Sequence, residues 1–315
     1  GQETQHAALA RILREHNPQR IGINTSLDFA FGDGLSHTEH ALLLDALGPD
    51  WISRLVSAEA LAIGWLEARI PAELYAYDGI AAMAHKLIAT LFSTRVIHPG
   101  VTTTEDLRWW LRQAMQRLGV QPWFQPDVDI QARGQRYDAA EKRTLIQPGD
   151  LLWCDVGFHY LGLATDHQQH AYVLRPGEVD APAGMRRALS LGNRLQEIHL
   201  AQMQPGLTGN EVLHAALEQA RREGLQAQIY SHPLGYHGHA AGPTIGLWDQ
   251  QDGVPGRGDY RLYDHTCYSI ELNIRCNLPE WGGQELRIAL EEDAALVDGR
   301  MHWLDGRQTQ LHLIG

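Results

Sequence analysis

Four carboxylates and one histidine, separated by long stretches of sequence, have the side chains that divalent cations bind. Asp155 and Asp166 come first in the chain, followed by His239, Glu271 and Glu291. Each carboxylate lies in an apolar, strand-like segment, where an unpaired charge is costly unless a cation neutralises it. Ligands from several strands are what a pair of divalent cations requires, and such a pair activates water for hydrolysis. The pattern therefore predicts a hydrolytic site with two metal ions.

Composition and charge exclude several classes of partner. The chain has 315 residues, 44% of them hydrophobic, and a formal net charge of −12. This charge argues against nucleic acids and anionic membranes as partners, and no apolar run approaches the roughly 20 residues of a membrane helix. The first residues lack the charged-then-apolar pattern of a signal peptide. Three cysteines are too few and too odd in number for a disulfide framework, so we expect a reducing, cytoplasmic location.

An internal repeat indicates how the metal-binding residues are positioned. The segment Pro99–Glu105 is echoed at Pro205–Glu211, and both copies contain a Thr-x-x-Glu capping box, which is typical of a helix start. Apolar residues at helical spacing follow each copy. Further along, Leu151–Asp155 and Cys267–Glu271 each read as an apolar strand that ends in an acid. Two halves with the order helix, helix, strands predict a pseudo-twofold α+β domain with acids from both halves at its centre.

The sequence before the repeat has a different pattern. Arg20–Asn24 reads as a short strand, and Ala58–Arg69 reads as a helix that stops before Pro71. A short α/β segment therefore precedes the repeat. We interpret residues 1–71 as the remnant or tail of an amino-terminal α/β domain, and residues 72–315 as the catalytic domain.

The order and spacing of the five metal-binding residues resemble those of the pita-bread metallopeptidases, the family of methionine aminopeptidase, aminopeptidase P and prolidase. The interval between Asp155 and Asp166 matches the family's interval, and the resemblance covers the whole catalytic domain. It implies a pita-bread fold in which Asp155 binds one ion while Asp166 and Glu291 bridge two. His239 and Glu271 would then bind the second ion.

The resemblance also implies an activity. A metal-bridging hydroxide would attack the carbonyl of a small peptide, at Xaa-Pro bonds in the relatives that have an amino-terminal domain, with Glu271 transferring the proton. Four oxygen ligands and one nitrogen suit Mn²⁺ best and tolerate Co²⁺, Fe²⁺ or Zn²⁺. We therefore expect a dinuclear Xaa-Pro aminopeptidase or dipeptidase without nucleic-acid or membrane partners. A homodimer is compatible with the sequence.

Two ligand positions have alternatives. His232, His237 and His239 lie close together, and the family's metal ligand usually follows a glycine and precedes small residues, as His239 does. His237 and His232 are then candidate catalytic groups that donate to a developing oxyanion, or they are structural. For the last acid, the strand register favours Glu291 over Glu292, because a shift by one residue would turn the side chain to the opposite face.

Several substrate-contacting positions differ from the family pattern. The seventh residue after His239 is Gly246, where relatives usually have a second histidine, and residues 134–147 contain no histidine. Gln169 replaces an arginine, and Leu272 replaces the proline that follows the third carboxylate. A non-peptidase hydrolase or lyase with the same metal ligands is therefore an alternative. A catalytically inactive binding module is a further alternative, which the presence of all five ligands disfavours.

Overall fold

The structure is a computed structural model, which describes residues 3–140 and 142–315. It divides into two compact units, one ending at Leu66 and the other beginning at Glu67. This division lies close to the predicted domain boundary after residue 71, and the interpretation of the first segment as part of a larger domain stays a prediction. Within the described residues, no helix combines the length and the apolar character that crossing a membrane requires.

The first unit is a small α/β segment. Its helices and strands are α1 (Gln5–His16), β1 (Ile21–Ile23), α2 (His37–Leu47), α3 (Pro49–Ile52), β2 (Leu55–Ser57) and α4 (Glu59–Glu67). Strands β1 and β2 pair in parallel, and Ala10, Leu43 and Leu47 form a small buried cluster. The strand predicted at 20–24 and the helix predicted at 58–69 are observed as β1 and α4.

The second unit contains two halves, each with two helices followed by strands. The first half consists of α5 (Pro71–Leu91), α6 (Thr104–Leu118), β3 (Gln121–Pro122), β4 (Asp127–Gln131), β5 (Leu151–Val156), β6 (Phe158–Tyr160), β7 (Leu163–Ala164) and β8 (His167–Val173). The second half consists of α7 (Ala183–Gln202), α8 (Gly209–Arg222), β9 (Gln226–Ile229), β10 (His232–Leu234), β11 (Thr266–Leu278), β12 (Gln284–Val297), β13 (Arg300–Trp303) and β14 (His312–Ile314). This order confirms the predicted α+β architecture.

Strands from both halves form one large sheet, which has nine strands in the described part of the chain. Its main path runs β10-β11-β12-β8-β5-β4, while β9, β13 and β14 pair with β11, β12 and β8. Strand β11 pairs with β12 along its full length, so that Glu271 lies directly opposite Glu291. Strands β5 and β8 are antiparallel, with Asp155 opposite Gln168. The sheet therefore brings acids of the two halves together at its centre.

The helices of each half bury apolar side chains against this sheet. Tyr77 of α5 and Leu107 of α6 belong to one buried cluster with Leu152 of β5. Helices α7 and α8 contribute to a second cluster with β11, β12 and Leu151. Neighbouring residues of β5 thus join different clusters because successive side chains of a strand point to opposite faces. Polar residues inside this covered sheet need partners within the protein.

The capping box of α6 lies one residue later than predicted. It is formed by Thr103 and Asp106, whereas the predicted Thr102 is buried and its hydroxyl accepts a hydrogen bond from the backbone amide of His98. The box predicted at Thr208 does cap α8. Both helices of the repeat are therefore capped in the same way, although the first copy uses the next residue.

Strand β11 continues beyond the acid at which it was predicted to end. It extends to Leu278, because Leu272 and Ile274 are buried in the second cluster and β12 pairs with the strand throughout. Glu271 therefore lies in the middle of a long hairpin, directly opposite Glu291.

Candidate metal centre

Four carboxylates converge on one face of the sheet. Asp155 lies near the end of β5, and Asp166 directly precedes β8. Ligand atoms of Asp155, Asp166 and Glu291 lie within 4.8 Å of one another. The same holds for His232, Glu271 and Glu291. Since Glu291 belongs to both groups, these five side chains form one cluster, which we call the carboxylate cage.

Several atoms of the carboxylate cage are buried without a hydrogen-bond partner in the described part of the chain. They include Oδ1 of Asp155, Oδ1 of Asp166 and Nε2 of His232. Burial, followed by the charges of neighbouring carboxylates, raises the pKa of Asp155, Asp166 and Glu271 well above their usual range. Buried polar groups are almost always satisfied in folded proteins, and divalent cations would satisfy these atoms. The residues present therefore fit a metal site.

Two further polar residues hold the cage carboxylates in place. The amide nitrogen of Gln168 donates to Oε1 of Glu271 at 2.6 Å and to Oε2 of Glu291 at 2.7 Å. The hydroxyl of Ser269 donates to Oε1 of Glu291 at 2.5 Å. The sequence analysis missed both residues. A run of four consecutive polar residues in a strand, His167–His170, is the signal that could have revealed Gln168.

His232 is the histidine most directly aimed at the cage carboxylates. Strand β10 pairs with β11, and this places Nε2 of His232 at 3.4 Å from Oε1 of Glu291 and 3.6 Å from Oδ2 of Asp166. Its Nδ1 lies 3.0 Å from the backbone carbonyl of Pro233. A carbonyl only accepts, so Nδ1 donates the hydrogen and Nε2 faces the cage. Burial opposes protonation of His232, but Glu291 and Glu271 outweigh it and raise its pKa.

His239, predicted from the sequence as the metal ligand, lies beside His232. The two ring centroids are 4.5 Å apart, and a ligand atom of His239 also lies within 4.8 Å of one in Asp166. Burial, and then the charge of His232, lowers the pKa of His239 to about 4. Counted from His232, the seventh residue is His239, so the second histidine expected at that interval is present. The geometry thus favours His232 as the ligand and His239 as its companion.

His237, the third candidate, lies on the surface of the same loop. Its side chain is exposed, and it belongs to none of the ligand groups found among the described residues. Partial burial of the ring, and then the charge of His159, lowers the pKa of His237. A role for His237 in the site therefore stays a prediction.

Trp123 packs against Gly238 and His239. Its indole nitrogen donates to the backbone carbonyl of Thr165 at 2.9 Å, and its ring centroid lies 5.2 Å from that of His239. A Cβ atom added to Gly238 would lie 2.2 Å from the Trp123 ring. Glycine is therefore required at 238 for the loop to pack this closely, which fixes the position of His239.

Glu292, the alternative to Glu291, is held by residues outside the carboxylate cage. Its Oε1 accepts hydrogen bonds from the Gln169 amide at 2.9 Å and from the Gln308 backbone at 2.7 Å. Its Oε2 lies 2.7 Å from Nε2 of His85. Gln169, at the position where relatives have an arginine, thus holds a carboxylate. This geometry favours Glu291 as the cage residue.

Comparisons with known proteins agree with this fold. The model of metallopeptidase family M24 matches residues 78–295. Among solved structures, an X-Pro aminopeptidase from Thermotoga maritima has a TM-score of 0.66 at 16% identity, covering 98% of this chain and 80% of its own. A dipeptidase from Pyrococcus horikoshii has a TM-score of 0.64 at 18% identity, and the match covers 100% of this chain and 79% of the dipeptidase. A methionine aminopeptidase from Thermotoga maritima has a TM-score of 0.55 at 19% identity, and the match covers 77% of this chain and 100% of the aminopeptidase.

A sequence comparison with curated proteins finds no significant match. At the identities given above, the structural likeness shows the fold alone, which is the pita-bread fold of these enzymes. The family model, in contrast, matches more than half of the sequence and includes the whole carboxylate cage. This chain therefore belongs to metallopeptidase family M24.

Proposed function

We propose that this chain is a dinuclear metal-dependent peptidase that cleaves Xaa-Pro bonds of small peptides. The observation that supports this most directly is the carboxylate cage, in which Glu291 belongs to both groups of ligand atoms. Membership in family M24 makes the chain a metallopeptidase. The substrate class rests on the fold, because solved structures with this fold include an X-Pro aminopeptidase and an Xaa-Pro dipeptidase.

We assign each cage residue a place around two ions. Asp155 binds one ion, and Glu271 binds the other together with His232. Asp166 and Glu291 bind both. Glu291 supports this because it shares one group of ligand atoms with Asp155 and another with Glu271. The bond from Nδ1 of His232 to a backbone carbonyl supports its assignment, since such outer partners orient the imidazole ligands of metals.

The side chains of the cage region suit peptide hydrolysis. Two divalent cations bound here would supply an activated water molecule near neutral pH and polarisation of a substrate carbonyl. Glu271, whose Oε1 is held by Gln168, accepts a proton and returns it to the departing amine. His239 is neutral at pH 7 because of its low pKa, and its single N–H donates to the developing oxyanion. Trp123 offers an apolar surface for a proline ring.

The donor set also bears on the identity of the ions. The cage has four carboxylates and one histidine, and oxygen-rich sites suit Mn²⁺. Co²⁺, Fe²⁺ and Zn²⁺ are accommodated by the same ligands. We therefore propose Mn²⁺ as the first metal to test.

A non-peptidase hydrolase or lyase with the same metal ligands is the second candidate function. Gln169 favours it, because this residue holds Glu292 where relatives have an arginine. The absence of histidine from residues 134–147 favours it as well. In both candidates the cage is the same, so substrate tests separate them.

The decisive experiment combines metal content with a peptide screen. Purified protein is stripped with a chelator, reloaded with Mn²⁺ and assayed on Xaa-Pro dipeptides and tripeptides, with matched Xaa-Ala peptides as controls. We expect metal-dependent cleavage at proline only. Two bound ions without cleavage of any peptide would point to the lyase or other hydrolase. Failure to bind ions in the cage would leave a binding module.

A further inference from the structure

A second group of potential metal ligands lies beside the carboxylate cage and shares none of its residues. His85 of α5, His167 of β8 and Glu292 of β12 have ligand atoms within 4.8 Å of one another. Nε2 of His85 lies 2.7 Å from Oε2 of Glu292, and Nε2 of His167 lies 3.8 Å from the same oxygen. The rings of the two histidines meet edge to face at 4.8 Å. We call these three residues the histidine cluster.

The histidine cluster contains a buried imidazole without a partner. His167 is fully buried, and neither of its ring nitrogens has a hydrogen-bond partner in the described part of the chain. Glu292 is fully buried as well. Oδ2 of Asp293, 3.8 Å from Nε2 of His167, is also buried and unpartnered. Polar atoms in such positions are costly unless satisfied, so this arrangement points to a ligand between them.

The residues around the histidine cluster are arranged as outer partners of a metal site. Nδ1 of His85 lies 2.9 Å from Oδ2 of Asp305, while its Nε2 faces Glu292. A carboxylate on one ring nitrogen and a metal on the other is a recurrent arrangement at zinc sites. The second oxygen of Glu292 is held by Gln169 and Gln308. The other oxygen, Oε2, lies against the two histidines of the cluster, so a cation that replaces the proton shared with His85 would have all three ligands at hand.

The spacing suits a small tetrahedral ion. Zinc takes nitrogen and oxygen ligands at about 2.0–2.2 Å, which places ligand atoms about 3.4 Å apart in a tetrahedron. The separations of 2.7 Å and 3.8 Å to Glu292 lie on either side of that value. His85 is partly exposed and Asp305 is exposed, so an ion can enter from this side. Small rotations of the three side chains would complete the site.

We propose that His85, His167 and Glu292 bind a divalent transition-metal ion, Zn²⁺ first of all, at a site separate from the carboxylate cage. Asp293 or a water molecule that enters past Asp305 supplies the fourth ligand. Two imidazoles make this site richer in nitrogen than the cage, which favours Zn²⁺ over Mn²⁺. The ion would link α5 to β8 and β12. Asp166 directly precedes β8, and Glu291 lies in β12.

A proton on His85 is the competing way to neutralise Glu292. Burial opposes protonation of His85, but its contacts with Glu292 and Asp305 outweigh burial and raise its pKa to about 9. This account leaves both ring nitrogens of His167 unsatisfied. Binding of Zn²⁺ would displace the proton, because a metal ligand must be deprotonated.

The test counts zinc ions in stripped protein that has been equilibrated with Zn²⁺ and freed of excess metal. His85→Gln keeps a polar side chain near Glu292 but removes the imidazole, so we expect it to hold one ion fewer per chain than the wild type. The matched control is His214→Gln, on α8, where the ring contacts only the backbone carbonyl of Asp252 among the described groups. We expect this control to retain the wild-type content.

Two further variants test the proposal in other ways. The first should fold normally, and the second separates the extra ion from the ions of the proposed peptidase site. Asp305 is exposed and has a positive φ of 58°. Asparagine tolerates this conformation, so Asp305→Asn should fold normally. Its zinc affinity at one site should fall about 10- to 100-fold. Asp155→Asn combined with Glu271→Gln should empty the cage and retain the extra ion. Equal zinc content in wild type and His85→Gln would overturn the proposal, whatever the occupancy of the cage.

Discussion

Two neighbouring groups of ligands, the carboxylate cage and the histidine cluster, depend on the same two strands. Asp166 is followed by His167, and Glu291 is followed by Glu292. Successive side chains of a strand point to opposite faces, so one residue of each pair serves the cage and the next serves the cluster. The cage is rich in oxygen and the cluster is rich in nitrogen. One pair of strands thus presents two groups of potential metal ligands with different donor atoms.

The two groups also differ in how the protein supports them. Gln168 donates to Glu271 and Glu291 in the cage, whereas Gln169 donates to Glu292 of the cluster. Among the described residues, buried oxygens of Asp155 and Asp166 in the cage have no hydrogen-bond partner, and neither do the ring nitrogens of His167 in the cluster. Unpartnered oxygens suit the Mn²⁺ that we propose for the cage, and unpartnered nitrogens suit the Zn²⁺ that we propose for the cluster.

The largest effect is expected from Asp166→Asn, because we assign this carboxylate to both proposed cage ions. Activity should fall by about a thousandfold or more, because metal assistance contributes several kcal/mol to the transition state. The histidine cluster should keep its zinc. The metal-free protein should not lose stability, since one of several mutually repelling carboxylates is gone. A variant that still holds two tightly bound ions in the cage would contradict the bridging role.

The histidine loop gives the next largest effect. His232→Ala should lower the metal content of the cage by one ion, because we assign this imidazole as the nitrogen ligand of the cage. His239→Ala should keep the metal content and lower kcat by about 10²- to 10³-fold, the usual loss when an oxyanion donor is removed. His237→Ala should have a smaller effect than either. Metal content and kcat of the three variants decide the assignment, and loss of an ion only in His239→Ala would reverse it.

Neighbouring glutamines allow a sharper test of the two faces. Gln168→Met should weaken metal binding in the cage about 10- to 100-fold, because an outer partner of two ligands is lost. Gln169→Met should leave the cage unchanged and weaken zinc binding in the histidine cluster by a similar factor. Titrations of each variant with Mn²⁺ and Zn²⁺ measure both. Identical effects of the two substitutions would show that the faces are not independent.

The smallest effect concerns His199, a buried histidine outside both groups of ligands. Burial lowers the pKa of His199 to about 3, and its Nε2 lies 3.0 Å from the Ser231 hydroxyl. The unfolded chain binds a proton at this residue below about pH 6.5 and the folded protein does not. Stability is therefore lost as the pH falls from 6.5 towards 3, by about 1.4 kcal/mol per pH unit.

His199→Gln should remove this contribution while retaining a polar group near Ser231. Urea unfolding of metal-free protein at pH 7 and pH 5 measures the slope for the wild type and the variant. An unchanged slope in the variant would mean that His199 is protonated in the folded protein. In that case burial alone would not keep this imidazole neutral.

Much of the architecture followed from local patterns. The repeated Pro-Gly and threonine boxes predicted two matching halves, and the acids at Asp155 and Glu271 predicted where those halves meet. Capping and apolar spacing are local properties, so they can be seen without the tertiary fold. The exact cap of α6 was missed, because burial of Thr102 against the His98 amide involves a loop whose path the pattern does not specify.

The sequence by itself determined the order of the cage acids, the two-half architecture and the excess of negative charge. Only the tertiary structure decided which of three nearby histidines faces the acids, because the direction of His232 depends on the pairing of β10 with β11. It alone brought His85 of α5 to His167 and Glu292. Helix and strand positions far apart in sequence meet only through packing, and side-chain direction depends on that packing.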